Sequence, residues 1–330
     1  MWSSSSPARS LSKDHGREEE RPPRIGITVG DPRGIGPEIV ADLLRTPPAE
    51  ARLLVVCPAG VPLPPGAERA TAGRWTPGED DERAAGRVSA GAVERGIELA
   101  LEGAIDGLVT GPISKRALAA AGYPYPGHTE LLRDRCGVPD VTMMMSAEST
   151  PLGGPLRMAL LTTHVALREV SARLTRERVV RRARIAVGAL REWWGIAGPR
   201  VAFAGLNPHA SEGGLFGDEE ERVLEPAAAE VAEEEGVEVT GIYPADTVFR
   251  HCLEGRVDLV VVPYHDVGLA VLKTVARESG VNVTAGLPFP RTAPDHGTAF
   301  DIASRGIADA GAMAAAVELC ARFCRAGAEP

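Results

Sequence analysis

Aromatic side chains are scarce in this chain, at 4% of its 330 residues. A core must therefore rest on Val, Leu, Ile and Ala, and the 44% apolar content can supply one. Paired cysteines are missing too. Cys57, Cys136, Cys252, Cys320 and Cys324 are odd in number and contain no Cys-x-x-Cys. That excludes a disulfide framework or zinc ribbon and fits reduced thiols in a cytoplasm. No run of about 18 apolar residues is present, so no membrane span is expected. A basic excess is lacking as well: 36 Lys and Arg stand against 45 Asp and Glu, a net charge of -9. This argues against a nucleic-acid partner, which would need a basic face. It leaves room for an anionic substrate, because a local cluster of Lys, Arg and backbone N–H groups can bind phosphate on an acidic protein. Residues 1–23 lack an apolar h-region and carry the acidic run Glu18 to Glu20. They are expected to form a disordered tail, not a signal or transit segment.

Beyond the tail, the length is comfortable for two domains at roughly 100–200 residues each. Short apolar runs predict buried strands at Ile25–Val29, Leu53–Val56, Leu108–Thr110, Met158–Thr162, Val201–Ala204, Leu259–Val262 and Val281–Thr284. Helical spacing of apolar residues marks Arg83–Glu102, Thr175–Trp194, Glu219–Glu235 and Gly311–Arg325, with Thr175 as an N-cap. This alternation predicts an α/β protein with a largely parallel sheet. No internal repeat is visible. The Pro- and Gly-rich stretch Pro58–Asp81 reads as an irregular connection.

Three histidines share a setting. His164, His209 and His265 each stand just past the carboxyl end of a predicted strand, the edge where open α/β sheets bind ligands. A trio on one rim suits a divalent metal with open positions. Each can equally be a loop histidine that caps or packs, and spacing alone leaves both readings open. Gly30-Asp31-Pro32-Arg33-Gly34-Ile35-Gly36 follows the first strand but lacks the third glycine of a dinucleotide fingerprint, since position 39 is Ile39. The preferred reading is a turn with Pro37 at the first helical position. In Gly127-His128-Thr129-Glu130, Thr129 is expected to cap a helix, with His128 and the first-turn N–H groups free to face an anion.

Five blocks occur in a telling order: Gly30-Asp31-Pro32-x-Gly34-Ile35-Gly36-Pro37-Glu38, Gly127-His128-Thr129-Glu130, Leu206-Asn207-Pro208-His209-Ala210-x-Glu212-Gly213-Gly214, Tyr264-His265-Asp266-x-Gly268 and Asp295-His296-Gly297-Thr298-Ala299. Together they resemble the 4-hydroxythreonine-4-phosphate dehydrogenase family of vitamin B6 synthesis, from about Arg24 to Arg325. The resemblance implies an isocitrate/isopropylmalate dehydrogenase-like fold, with two α/β subdomains and a cleft between them. It assigns residues 24–130 plus 285–330 to a cofactor-side subdomain. Residues 131–284 form the other, with the metal ligands and dimer interface. It also implies a homodimer with its site at the interface, a divalent metal (Zn, Mg or Co), and NAD or NADP. Matched position by position, His164, His209 and His265 become metal ligands, and His128, Thr129, Lys273, Asn282 and Arg291 become substrate contacts. His296, Gly297 and Thr298 fall in a segment like the adenine-side loop of the wider β-decarboxylating dehydrogenases. Asp246 and Lys115 are the candidate catalytic groups. Departures from the family pattern are Arg33 for a small residue, Ser211 for Gly, Val267 for Gln and Ala270 for Pro. A shortened region near 57–82 looks like a pared-away strand–helix unit.

The resemblance implies oxidation of 4-phosphooxy-L-threonine at C3 and decarboxylation of the resulting β-keto acid to 3-amino-2-oxopropyl phosphate. The rival readings are a dehydrogenase of D-threonate or D-erythronate 4-phosphate, a phosphate acyltransferase on a related fold, and a non-catalytic binding protein.

Overall fold

The computed structural model describes residues 21–76, 78, 81–276 and 279–327. Most of the expected tail, residues 1–20, lies outside them, and residues 21–23 carry no helix or strand. The strands in chain order are β1 (Arg24–Thr28), β2 (Arg52–Ala59), β3 (Arg69–Arg74), β4 (Gly107–Thr110), β5 (Thr142–Ala147), β6 (Leu156–Leu160), β7 (Arg200–Ala204), β8 (Glu238–Tyr243), β9 (Leu259–Val262), β10 (Val281–Ala285) and β11 (Arg291–Pro294). All of them join one sheet in the order β3-β2-β1-β4-β11-β10-β5-β6-β9-β7-β8.

Pairing is parallel except at β11–β10, β10–β5 and β5–β6. Three reversals in succession turn the direction around. The parallel strands on either side therefore point their carboxyl ends at opposite edges of the sheet. Helices cover it on apolar faces. Glu82–Leu101 buries Ala85, Val93 and Ile97, and Gly311–Ala326 buries Met313, Val317 and Phe323. Arg176–Glu192 starts at Thr175, whose hydroxyl accepts from the Arg178 N–H, as the sequence predicts. No helix among the described residues is long and apolar enough to cross a membrane.

Every predicted strand is found, but the structure corrects several local expectations. β3 lies inside the stretch read as an irregular connection. It is an edge strand of sequence RATAGR with only Ala72 buried, so it carries no apolar run to betray it. Residues 77, 79 and 80 of that stretch lie outside the described residues. β5, β8 and β11 are also additions. The helix expected over Glu219–Glu235 is a π turn, Glu220–Leu224, followed by an α-helix, Glu225–Ala232. Pro226 lacks the N–H that a continuous ladder needs there. The helix at His128–Arg135 begins after Gly127, so Thr129 lies in its first turn and is not its cap.

Candidate active site

The central strands build a floor. Register sets Met145 of β5 beside Asn282 of β10, and Asn282 beside Ala293 of β11. Side chains alternate along a strand, so Met143 and Arg291 share this face. A cleft of about 340 Å³ opens over it. Its walls include Thr110 to Ile113, Lys115, Gly127 to Glu130, His164, His265, Lys273 and Asp295 to Gly297.

At the floor lies Arg291, 2% exposed. Its Nη1 donates to Thr284 Oγ1 at 2.9 Å and Asn282 Oδ1 at 3.3 Å, and its Nη2 donates to Thr110 Oγ1. Its Nε has no partner, and no carboxylate pairs with the guanidinium among the described residues. Burial pushes Arg291 down to about 9, which still leaves it charged at neutral pH. His128 stands beside it with a buried, unpartnered Nε2. Burial and then the Arg291 charge hold that imidazole well below its ordinary range, so it is neutral. Lys273 Nζ reaches Asp295 Oδ2 at 3.4 Å on the same wall. Burial raises the Asp295 carboxyl, against the pull of Lys273. One end of the cleft thus offers a buried cation, a mobile cation and neutral donors, with unused hydrogen-bonding capacity.

The other end holds imidazoles. His164 and His265 have ring centroids 5.6 Å apart. Burial, Lys115 and His265 lower His164, so it keeps a free lone pair at pH 7. His265 Nδ1 lies 2.6 Å from Asp266 Oδ1, and the Tyr264 hydroxyl donates to Asp266 Oδ2 at 3.0 Å. That carboxylate occupies one ring nitrogen and leaves Nε2 for a ligand, the usual outer-shell arrangement of a metal-binding histidine. His209 is not on the cleft wall. It follows β7, two strands beyond β6 in the sheet, and is exposed. Its backbone begins a run of four left-handed non-glycine residues, His209 to Glu212, at φ 54°, 52°, 69° and 48°. Each such residue costs about 1–2 kcal/mol. Buried Ser211 is inside that run. Among the described residues no group of three or more His, Cys, Asp or Glu stands close enough to hold a metal. Asp246 is exposed and also off the cleft, whereas Lys115 lines it.

The glycine-rich first loop is a mount for the segment after β11. Ile35 N–H donates to Thr298 O at 3.0 Å, and a Cβ on Gly34 would stand 2.6 Å from that same oxygen. Glu38 accepts from the Ser304 and Ala308 N–H groups at 3.0 and 3.2 Å. Arg33, the departure in this loop, pairs with buried Asp31 at 2.9 Å. His296 and Gly297 face the cleft while Thr298 lies behind them. Asp295, Thr110 and Thr284 were given no role by the sequence. Asp295 alone had a signal, its place at the head of a matched block.

The family model described as pyridoxal phosphate biosynthetic protein PdxA matches residues 60–320. A 4-hydroxythreonine-4-phosphate dehydrogenase of Beijerinckia indica is 42% identical, with 91% of this chain and 94% of that one covered. A protein of Symbiobacterium thermophilum, carried under the provisional name D-threonate 4-phosphate dehydrogenase, is 40% identical over 92% of this chain and 97% of its own. The crystal structure of 4-hydroxythreonine-4-phosphate dehydrogenase from Klebsiella pneumoniae matches with a TM-score of 0.80 at 39% identity, over 92% of this chain and 98% of that one. A β-decarboxylating dehydrogenase from Thermococcus kodakarensis shares the fold alone, at a TM-score of 0.50 and 16% identity. The fold is shared with the β-decarboxylating dehydrogenases, and the chain belongs to the PdxA family of dehydrogenases.

Proposed function

We propose that this protein oxidises 4-phosphooxy-L-threonine at C3 with NAD or NADP, in pyridoxine 5'-phosphate synthesis. The observation that carries the reading is Arg291, a buried guanidinium with no carboxylate partner among the described residues and an idle Nε, near a His128 whose buried Nε2 is idle too. An unpaired buried charge is costly, and a dianionic phosphate is the group that offsets it. Asn282 and Thr129 add neutral contacts. Lys273 can exchange Asp295 for a phosphate oxygen. Anchoring the phosphate fixes the reacting carbon against the imidazole end, so that remote binding energy serves the chemistry.

There, His164 and His265 fit a divalent ion, Zn, Mg or Co, by the lowered basicity of His164, the 5.6 Å spacing of the two rings and the Asp266 carboxylate behind His265. Such an ion supplies Lewis acidity toward the substrate hydroxyl. We assign the third ligand to His209 of a second copy of the chain, in a homodimer. Exposed Leu215 and Phe216, at 73% and 48%, follow on the same loop, the Phe216 ring 6.4 Å from that imidazole, and suit an interface. The dinucleotide takes the hydride and lies along His296, Gly297 and Thr298. Lys115 Nζ is the proton-transfer candidate on this chain's own cleft wall. Asp246 would act only across the interface. The β-keto acid product loses carbon dioxide readily. The cofactor-side subdomain is residues 24–130 plus 285–330, its partner subdomain is 131–284, and the cytoplasm is the compartment.

A D-threonate or D-erythronate 4-phosphate substrate is the second reading, favoured by the 40% identical relative with a threonate name. A phosphate acyltransferase or a binding protein would leave the paired imidazoles without work. Reduction of NAD and NADP, followed by the absorbance of the reduced nicotinamide with a panel of 4-phosphorylated acids, tests the reading. Arg291→Ala should lose kcat/KM by about 10–150-fold on the phosphorylated substrate. Equal losses on phosphorylated and unphosphorylated analogues would place the phosphate elsewhere.

A further inference from the structure

We infer that Glu220 is a positioning residue for His209: its buried carboxylate, with Asn207 and Glu219, locks the loop that presents this imidazole. The inference rests on the reading of His209 as a metal ligand.

Glu220 is 2% exposed, yet no basic side chain pairs with it among the described residues. All its bonds go to the two residues that lead into Pro208 and His209. Oε1 accepts from the Leu206 and Asn207 backbone N–H groups, each at 2.8 Å. Oε2 accepts from Asn207 Nδ2 at 2.8 Å. That same amide donates to Glu219 Oε2 at 2.7 Å, so Asn207 bridges two neighbouring carboxylates. Glu219 Oε1 in turn accepts from Ser171 Oγ at 2.6 Å. Ser171 sits in the short helix Val170–Arg173, on the segment that begins at His164. One network thereby ties the two segments that carry His164 and His209.

The carboxylates reach this position because the helix opens with a π turn at Glu220–Leu224, a feature often found at functional sites. Downstream the loop is closed by Gly217 at φ 150°, where a Cβ would meet Asn207 Nδ2 at 2.6 Å and Glu219 Oε2 at 2.7 Å. Between these two fixed points lie the four left-handed residues His209 to Glu212. A free loop would relax such a run to ordinary conformations. Burying an unpaired carboxylate is a poor way to stabilise a fold, and an apolar side chain would fill the space at lower cost. Orienting a ligand from behind is a role that does require it.

Glu220→Gln keeps the size and sets an amide against the Asn207 amide donors. Metal-stripped, full-length protein is titrated with cobalt(II) and followed by its visible absorption. The variant should bind cobalt about 10–100-fold more weakly than the parent. Inorganic phosphate, measured by calorimetry on the metal-free protein, should bind both alike. Glu219→Gln, at a half-buried site, should weaken cobalt binding several-fold, and it decides the matter if Glu220→Gln does not fold. Unchanged cobalt affinity in these variants overturns the inference, as does a parallel loss of cobalt and phosphate binding. His209→Ala separates the two levels. If it loses cobalt binding while Glu220→Gln does not, only the role of Glu220 falls. If it binds cobalt like the parent, the ligand reading falls and the inference with it.

Discussion

Replacing Arg291 by Met should make the phosphate-free protein more stable, not less. Burial lowers this guanidinium from 12.5 to about 9, roughly 3.5 tenfold steps. At about 1.4 kcal/mol per step, the charged form carries a penalty of about 5 kcal/mol. A depressed folded-state pKa adds stability only at high pH, and that contribution is lost as pH falls through about 9. At neutral pH the penalty therefore stands in full. Met is unbranched and apolar, shorter than Arg but adaptable in packing, and it discards the charge. It also forfeits the bonds to Thr284, Asn282 and Thr110, at about 1 kcal/mol each. The balance is a gain of about 2 kcal/mol, or a few degrees in Tm. Differential scanning calorimetry with and without inorganic phosphate reads both halves of the argument. The parent should gain stability with phosphate through ligand linkage. The variant should start higher and show no response. A variant that melts well below the parent, in a protein whose parent ignores phosphate, would make Arg291 a structural strut and refute the reasoning.

Glu148 gathers donors from Ser146, Arg157, Trp194 and Arg322. Burial opposes its charge, but the Arg157 bonds and the rest outweigh that and hold the carboxyl at about 2 against an ordinary 4.5. Glu148→Gln should cost on the order of 3 kcal/mol at neutral pH. The parent should lose that margin as pH falls from 4.5 through about 2 while the variant does not, which urea midpoints across that range will check. A Cβ on Gly297 would meet nothing within 4 Å, so Gly297→Leu should fold normally. It should raise KM for the dinucleotide more than for the phosphorylated acid in steady-state kinetics, and the opposite pattern would move the cofactor. His209→Ala and Lys273→Ala should each be inactive alone. They should recover part of the activity when mixed and allowed to exchange subunits, and no recovery despite proven exchange would place both residues in one chain's site.

Much of this was legible in the chain because buried strands advertise themselves. Ile25 and Ile27, Val201 and Phe203, and Leu259 to Val262 are fully buried apolar runs, and all were readable. β5 escaped because Met143 to Met145 bring no β-branched signal. β11 escaped because Arg-Thr-Ala-Pro reads as a loop. Only the sheet shows that this Arg is interior. At the site, one matched block held His128, the family resemblance added Lys273, Asn282 and Arg291, and the fold gathers them in one cleft. What no linear reading could give is the distance of His209 from His164 and His265. It depends on strand order, which sets β7 beyond β9. The partners Thr110 and Thr284 were equally hidden, since a threonine at a strand end carries no sign of what will lie over it.

The insertion of β11 between β4 and β10 has a consequence for synthesis of the chain. Thr110 ends β4 and Arg291 begins the strand that covers it, 181 residues later. A ribosome adding about 5–20 residues per second needs on the order of 10–40 s to cross that interval. Through that time the nascent β1–β4 unit has a bare flank of unpaired N–H and C=O groups beside an unfinished cleft. Such a flank is a template for pairing with another chain. The strand that supplies the buried arginine is therefore also the one that ends this vulnerable period of the molecule's birth.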